Sequence, residues 1–76
     1  MKPTYSDYPA LIKEIRRQLA ISQEDLAREL GVSYATVNRW ENGQARPSKL
    51  ARAQLDAFCE RMKTDGALDL SERGNG

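Results

Sequence analysis

The chain contains no histidine. That removes the commonest general base and the commonest metal ligand available to a small protein. Its single cysteine, Cys59, cannot close an internal disulfide, and its place in a helical apolar pattern reads as a small buried hydrophobe rather than a reactive thiol. No apolar run approaches the roughly 20 residues that cross a bilayer. The start Met1–Pro3, charged and proline-containing, does not read as a secretory signal, so the expected location is cytoplasmic, with no membrane partner. No catalytic constellation, metal motif or phosphate-binding loop is present, and neither an enzyme nor a cofactor is expected.

Charge of one sign is also scarce, with a net of only +1. Its distribution carries more. Between Ser33 and Leu55 the bases Arg39, Arg46, Lys49 and Arg52 stand against one acid, Glu41, a net of +3. From Asp56 onward five acids face three bases, a net of −2. A basic middle and an acidic end suit phosphate contact through one face, although an ordinary solvated surface fits the charges equally well.

At 76 residues there is room for one core. The expected organisation is an N-terminal arm over 1–8, a folded domain over 9–62 and a polar, disordered tail over 63–76, with at most a short turn around Leu68–Leu70. Asp7 caps a first helix over 9–19, with Pro9 in its first turn and Leu11, Ile12, Ile15 and Leu19 on one face. Ser22 and Asp25 outline a capping box, in which aspartate is shorter than the preferred glutamate. Leu26, Ala27 and Leu30 then form an inward stripe that ends at Gly31, giving a second helix over 22–30. Ser33 caps a third helix to about Asn42, stopped by Gly43. Ser48 caps a fourth, with Leu50, Ala51, Leu55, Phe58 and Met62 as its apolar stripe.

The short connection Gly31–Val32–Ser33 makes the second and third helices cross steeply. On the third, Tyr34, Ala35, Asn38 and Arg39 fall on one arc, while Thr36, Val37, Trp40 and Glu41 fall on the other. Val37 and Trp40 point that second arc inward, which leaves a polar and aromatic arc free. Tyr34 also fits the ordinary habit of tyrosine at boundaries, and Lys49 and Arg52 fit ordinary solvated charges.

Ser22-Gln23-Glu24-Asp25-Leu26-Ala27, then Gly31-Val32-Ser33, then Val37-Asn38-Arg39-Trp40-Glu41-Asn42-Gly43, resembles the Cro/repressor (XRE-like) family of helix-turn-helix domains over roughly residues 11 to 58. The resemblance implies an all-α, lambda-repressor-like DNA-binding domain of four or five helices, with the third helix in the major groove. It implies that Tyr34, Ala35, Thr36, Asn38 and Arg39 face base edges. Arg39 is the strongest reader, because a guanidinium forks onto guanine O6 and N7. It implies phosphate contacts for Gln23, Ser33, Asn42, Arg46 and Lys49, which set register. It also implies an ion pair between Arg16 and Glu41, which would offset an acid in the last turn of a helix.

The expected partner is double-stranded DNA, and the expected function is transcriptional regulation, repression above all. Dimerisation is expected on a palindromic site or through the exposed side of the fourth helix, since the tail offers too few apolar residues for a fifth. The alternative is an antitoxin or adaptor that uses the same helices on a protein partner. A third reading is the targeting domain of a longer protein.

Overall fold

The computed structural model describes residues 7–70, and the arm expected over 1–8 lies mostly outside them. Four helices follow in order: α1 (Tyr8–Leu19), α2 (Gln23–Leu30), α3 (Tyr34–Glu41) and α4 (Lys49–Thr64). Each starts at a short polar side chain that accepts a hydrogen bond from the backbone three residues on. Asp7, Ser22, Ser33 and Ser48 accept from the N–H groups of Ala10, Asp25, Thr36 and Ala51, and so satisfy donors that no helical carbonyl can reach. Asp25 does close the box at α2: its Oδ2 accepts from the Ser22 N–H at 3.2 Å. Arg28 and the Ser22 bonds hold the Asp25 carboxyl below its ordinary range.

The ends differ in kind. Gly31 stops α2 in the left-handed region at φ 74°, where a glycine pays no Cβ penalty. Its N–H and that of Val32 reach back to α2, with Val32 N donating to the Ala27 carbonyl at 3.0 Å. α1 ends on Ala20 at φ 56°, a conformation that L-residues other than Gly, Asn and Asp seldom adopt.

One core contains Leu11, Ile12 and Ile15 of α1, Leu26, Ala27 and Leu30 of α2, Val37 and Trp40 of α3, and Leu55, Phe58 and Cys59 of α4. α3 packs on both α1 and α2, and α4 packs on α2. Two expectations are corrected here. Leu50, placed in the α4 stripe from the sequence, is 73% exposed. At 100° per residue it lies about 140° from Leu55, whereas Cys59 lies about 40° away and takes the inward place. Burial pushes the Cys59 thiol up to about 11, which keeps it protonated and unreactive at neutral pH.

The second correction concerns the tail. α4 runs to Thr64, and the chain then turns through Gly66 at φ 79°, with the Met62 carbonyl accepting from Ala67 N and Leu68 N. Residues 65–70 fold back as a strap whose Leu68 and Leu70 join the core. The Gln18 side chain on α1 clips the strap at both polar backbone atoms of Asp69. Its Nε2 donates to the Asp69 carbonyl at 3.0 Å and its Oε1 accepts from the Asp69 N–H at 2.7 Å. Composition alone points to disorder over 63–76, and for residues 65–70 two leucines that join the core outweigh it. Residues 71–76 of the expected tail lie outside the described residues.

Candidate nucleic-acid interface

α3 follows α2 after a tight turn and packs on it and on α1, and the burial pattern divides α3 in two. Val37, Trp40 and Glu41 are buried, Tyr34, Ala35 and Arg39 are exposed, and Thr36 and Asn38 are half-buried. Among the described residues, Tyr34 is one of two large hydrophobic residues that stand out as exposed, the other being Leu50. Of the sequence-derived outward arc, Tyr34, Ala35 and Arg39 therefore lie on the solvent side of α3, and Asn38 sits at its margin.

The residues behind that face form one connected polar network. Arg16 on α1 grips Glu41 in a fork, with Nε on Oε1 at 3.1 Å and Nη2 on Oε2 at 3.0 Å, and its Nη1 donates to the Ile21 carbonyl. Gln23, the first residue of α2, donates from Nε2 to the same Glu41 Oε1 at 2.8 Å. Asn38 donates from Nδ2 to Gln23 Oε1 at 3.1 Å, and Asn42 donates from Nδ2 to Asn38 Oδ1 at 3.1 Å. Burial pushes the Glu41 carboxyl up, but the bonds from Arg16 and Gln23 and the Arg16 charge outweigh it. The group stays ionised, below its ordinary range.

The sequence-selected residues thus separate into two sets. Gln23, Asn38 and Asn42 are drawn together behind and beside α3 with Arg16 and Glu41, while Ser33 and Thr36 share a hydroxyl contact of 2.9 Å at its start. The resemblance also implies that Gln23 braces the reading helix, and its bonds to Glu41 and Asn38 do so; sequence reasoning did not identify those two partners. The spacing of Asn38 and Asn42, four residues apart on one helix, was the available signal for the last link.

Tyr34, Ala35, Arg39, Arg46 and Lys49 are exposed, and no hydrogen bond or ion pair engages their side chains among the described residues. Arg52 joins them. The contrast with the other bases is consistent: Arg16, Arg17, Arg28, Arg61 and Lys63 each pair with an acid. Apart from Lys13, the cations left without an acid among the described residues all fall between Arg39 and Arg52, from the last turn of α3 to the first turn of α4. Exposed pairs contribute little to stability; here they report where positive charge is cancelled and where it is not.

Among the described residues, no helix is long and apolar enough to cross a membrane, and no group of acidic, cysteine or histidine side chains could hold a metal ion.

The helix-turn-helix family model matches residues 12–51, a stretch that runs from α1 through α3 to the start of α4. A curated relative, the type II methyltransferase M1.ScrFI of Lactococcus lactis subsp. cremoris, is 37% identical over 60 residues, covering 75% of this chain and 15% of that protein. The matched stretch therefore spans only about 15% of that relative's length. No solved structure matches the chain significantly. The turn geometry, the capped second and third helices and the matched stretch agree: the chain belongs to the Cro/repressor-type helix-turn-helix family of DNA-binding domains.

Proposed function

We propose that this domain is a sequence-specific, double-stranded DNA-binding transcriptional regulator, a repressor, that inserts α3 into the major groove. The observation that carries the reading is that Arg39, on the exposed face of α3, opens a run of cations, continued by Arg46, Lys49 and Arg52, that pair with no acid among the described residues. Unneutralised Arg and Lys are what a phosphate backbone recruits through counterion release.

Tyr34, Ala35, Thr36, Asn38 and Arg39 are then the base-facing residues, with Ala35 suited to a thymine methyl and Arg39 to guanine. Gln23, Ser33, Asn42, Arg46 and Lys49 are the phosphate-facing residues. Arg52, exposed and without an acid, extends that set. A single domain with so few phosphate contacts binds weakly, so a homodimer on a palindromic site is part of the proposal.

A second reading is favoured by the similarity to a stretch of a type II methyltransferase. In it the domain serves as the DNA-targeting part of a longer chain, with the same base-facing residues and no need of a palindrome.

The deciding experiment is repeated selection from a randomised duplex pool at near-physiological salt, with wild type and Arg39→Ala in parallel. A two-fold symmetric sequence is expected from wild type. In Arg39→Ala the preference at one guanine per half-site should relax, by about 1–3 kcal/mol of discrimination. Enrichment of a single asymmetric site would favour the targeting reading. If neither protein retains DNA even at low salt, the DNA-reading function is wrong and an antitoxin or adaptor role on a protein partner takes its place. A smaller expected effect concerns salt: Lys49→Ala should weaken binding to all sequences alike and lower the salt slope by about one.

A further inference from the structure

The polar network behind α3 has a direction, and the direction comes from one group. An ionised carboxylate only accepts hydrogen bonds, whereas a carboxamide donates at one end and accepts at the other. Glu41 is ionised and its Oε1 already accepts from Arg16 Nε. Whatever else reaches Oε1 must therefore be a donor. Gln23 has to present Nε2 to it, at 2.8 Å, which turns Gln23 Oε1 toward Asn38. That oxygen needs a donor in turn, so Asn38 presents Nδ2 at 3.1 Å and turns Oδ1 toward Asn42, which again presents Nδ2. Three amides that could each sit either way round are placed one way.

We propose that Glu41 is a positioning residue for DNA recognition: held by Arg16, it sets the orientation of the Gln23, Asn38 and Asn42 amides and thereby the hydrogen-bonding edge that α3 offers to an A·T pair. This inference rests on the DNA-reading function above. After the internal bonds, Asn38 keeps one N–H and one oxygen lone pair, and Gln23 keeps one N–H. Adenine presents an N7 acceptor beside an N6 donor in the major groove, which asparagine matches in a single orientation of its amide. A flipped Asn38 would set donor against donor and acceptor against acceptor. The spare N–H of Gln23 suits a phosphate oxygen in the same way, whereas a flipped Gln23 would turn an oxygen toward it. The relay also couples α1 to the reading helix through polar contacts, so the edge is fixed before DNA arrives and less ordering remains for binding to impose.

Glu41→Gln tests the direction directly. A carboxamide at 41 keeps the shape and still offers Arg16 an oxygen, but it no longer forces Gln23 to donate. Binding of wild type, Glu41→Gln, Asn38→Ala and the double variant is measured by fluorescence anisotropy on the site selected by wild type. It is repeated on duplexes altered at one base pair at a time, at a temperature where circular dichroism shows every variant folded. Asn38→Ala is expected to flatten the preference at one A·T pair. Glu41→Gln should flatten it at that same pair, with a loss of about tenfold on the best site, and the double variant should lose no further discrimination there.

A merely structural Glu41 would lower stability or affinity for all duplexes alike and leave the base preference standing. Gln23→Met, which cuts the relay without touching the ion pair, provides the same reading should Glu41→Gln not fold. Full discrimination in either variant, or a preference lost in Asn38→Ala at a pair unaffected by Glu41→Gln, overturns the relay while leaving the DNA-reading function intact. Failure of wild type to select any sequence overturns both.

Discussion

Arg16→Ala is expected to destabilise the domain by about 2–3 kcal/mol and Glu41→Ala by about 1–2 kcal/mol, the unequal cost following from unequal burial. The Glu41 side chain is 8% exposed and that of Arg16 27%. Removing Arg16 strands a carboxylate that has only Gln23 left to donate to it and little access to water. Removing Glu41 strands a guanidinium that keeps the Ile21 carbonyl and can turn its remaining donors to solvent. In a domain of this size each kcal/mol moves the melting midpoint by roughly 4–8 °C, so Arg16→Ala should melt roughly 10–20 °C below wild type. Acid separates this from a packing defect. The Glu41 carboxyl lies below its ordinary value of 4.5, so the stabilisation by the pair is fully present above that value and is lost as pH falls through the lowered one. The gap between wild type and Glu41→Ala should therefore narrow in melts taken below about pH 4. Arg16→Ala should close on wild type sooner, because an unpaired buried carboxyl protonates at higher pH. Midpoints that match wild type in both variants at neutral pH would show that the pair carries no stability.

What was legible in the sequence was local. Ser22, Asp25 and Gly31 place α2, and Ser33 and Gly43 bracket α3, because a cap is a bond between residues three or four apart. The outward face of α3 was legible for the same reason: 100° per residue fixes which side chains share an arc once Val37 and Trp40 point inward. The end of α1 was not marked, since Ala20 takes a left-handed conformation without being glycine, held by the bonds that its N–H and that of Ile21 make to the Arg16 carbonyl. The exposure of Leu50 does not follow from residue type: it lies about 140° around α4 from Leu55, and only that angle turns it outward. The relay joins residues 15 to 25 positions apart, and such bonds depend on how helices cross, which periodicity along one helix does not reveal. Arg16 and Glu41 were reached through the resemblance, whereas the amides that complete the network had no local signature beyond the Asn38–Asn42 spacing.

The strap at the end of α4 leads to the largest expected loss of stability. α1 and α4 have at most marginal direct contact, since each packs mainly against another helix, and the strap ties them. Its start hangs from the Met62 carbonyl of α4, and its end is clipped by Gln18 of α1. Leu68 and Leu70, 4% and 9% exposed, join the core on either side of the clipped residue. Each leucine replaced by alanine removes buried methyl groups and leaves a void that two separate helices can close only by moving together. The double variant Leu68→Ala/Leu70→Ala should therefore lose about 4–6 kcal/mol, most of what a domain of this size holds. It should be largely unfolded near 37 °C by circular dichroism. Gln18→Ala, which removes the two bonds to Asp69, a third to Glu14 and little apolar surface, should cost only about 1–2 kcal/mol. Asp69→Ala should change little at the clip, because Gln18 holds the backbone of residue 69. A double leucine variant that melts with wild type would mean that α1, α2 and α4 close over the core unaided. A large loss in that variant, with a smaller one in Gln18→Ala, would make the strap the fifth packing element of the fold, built without a helix.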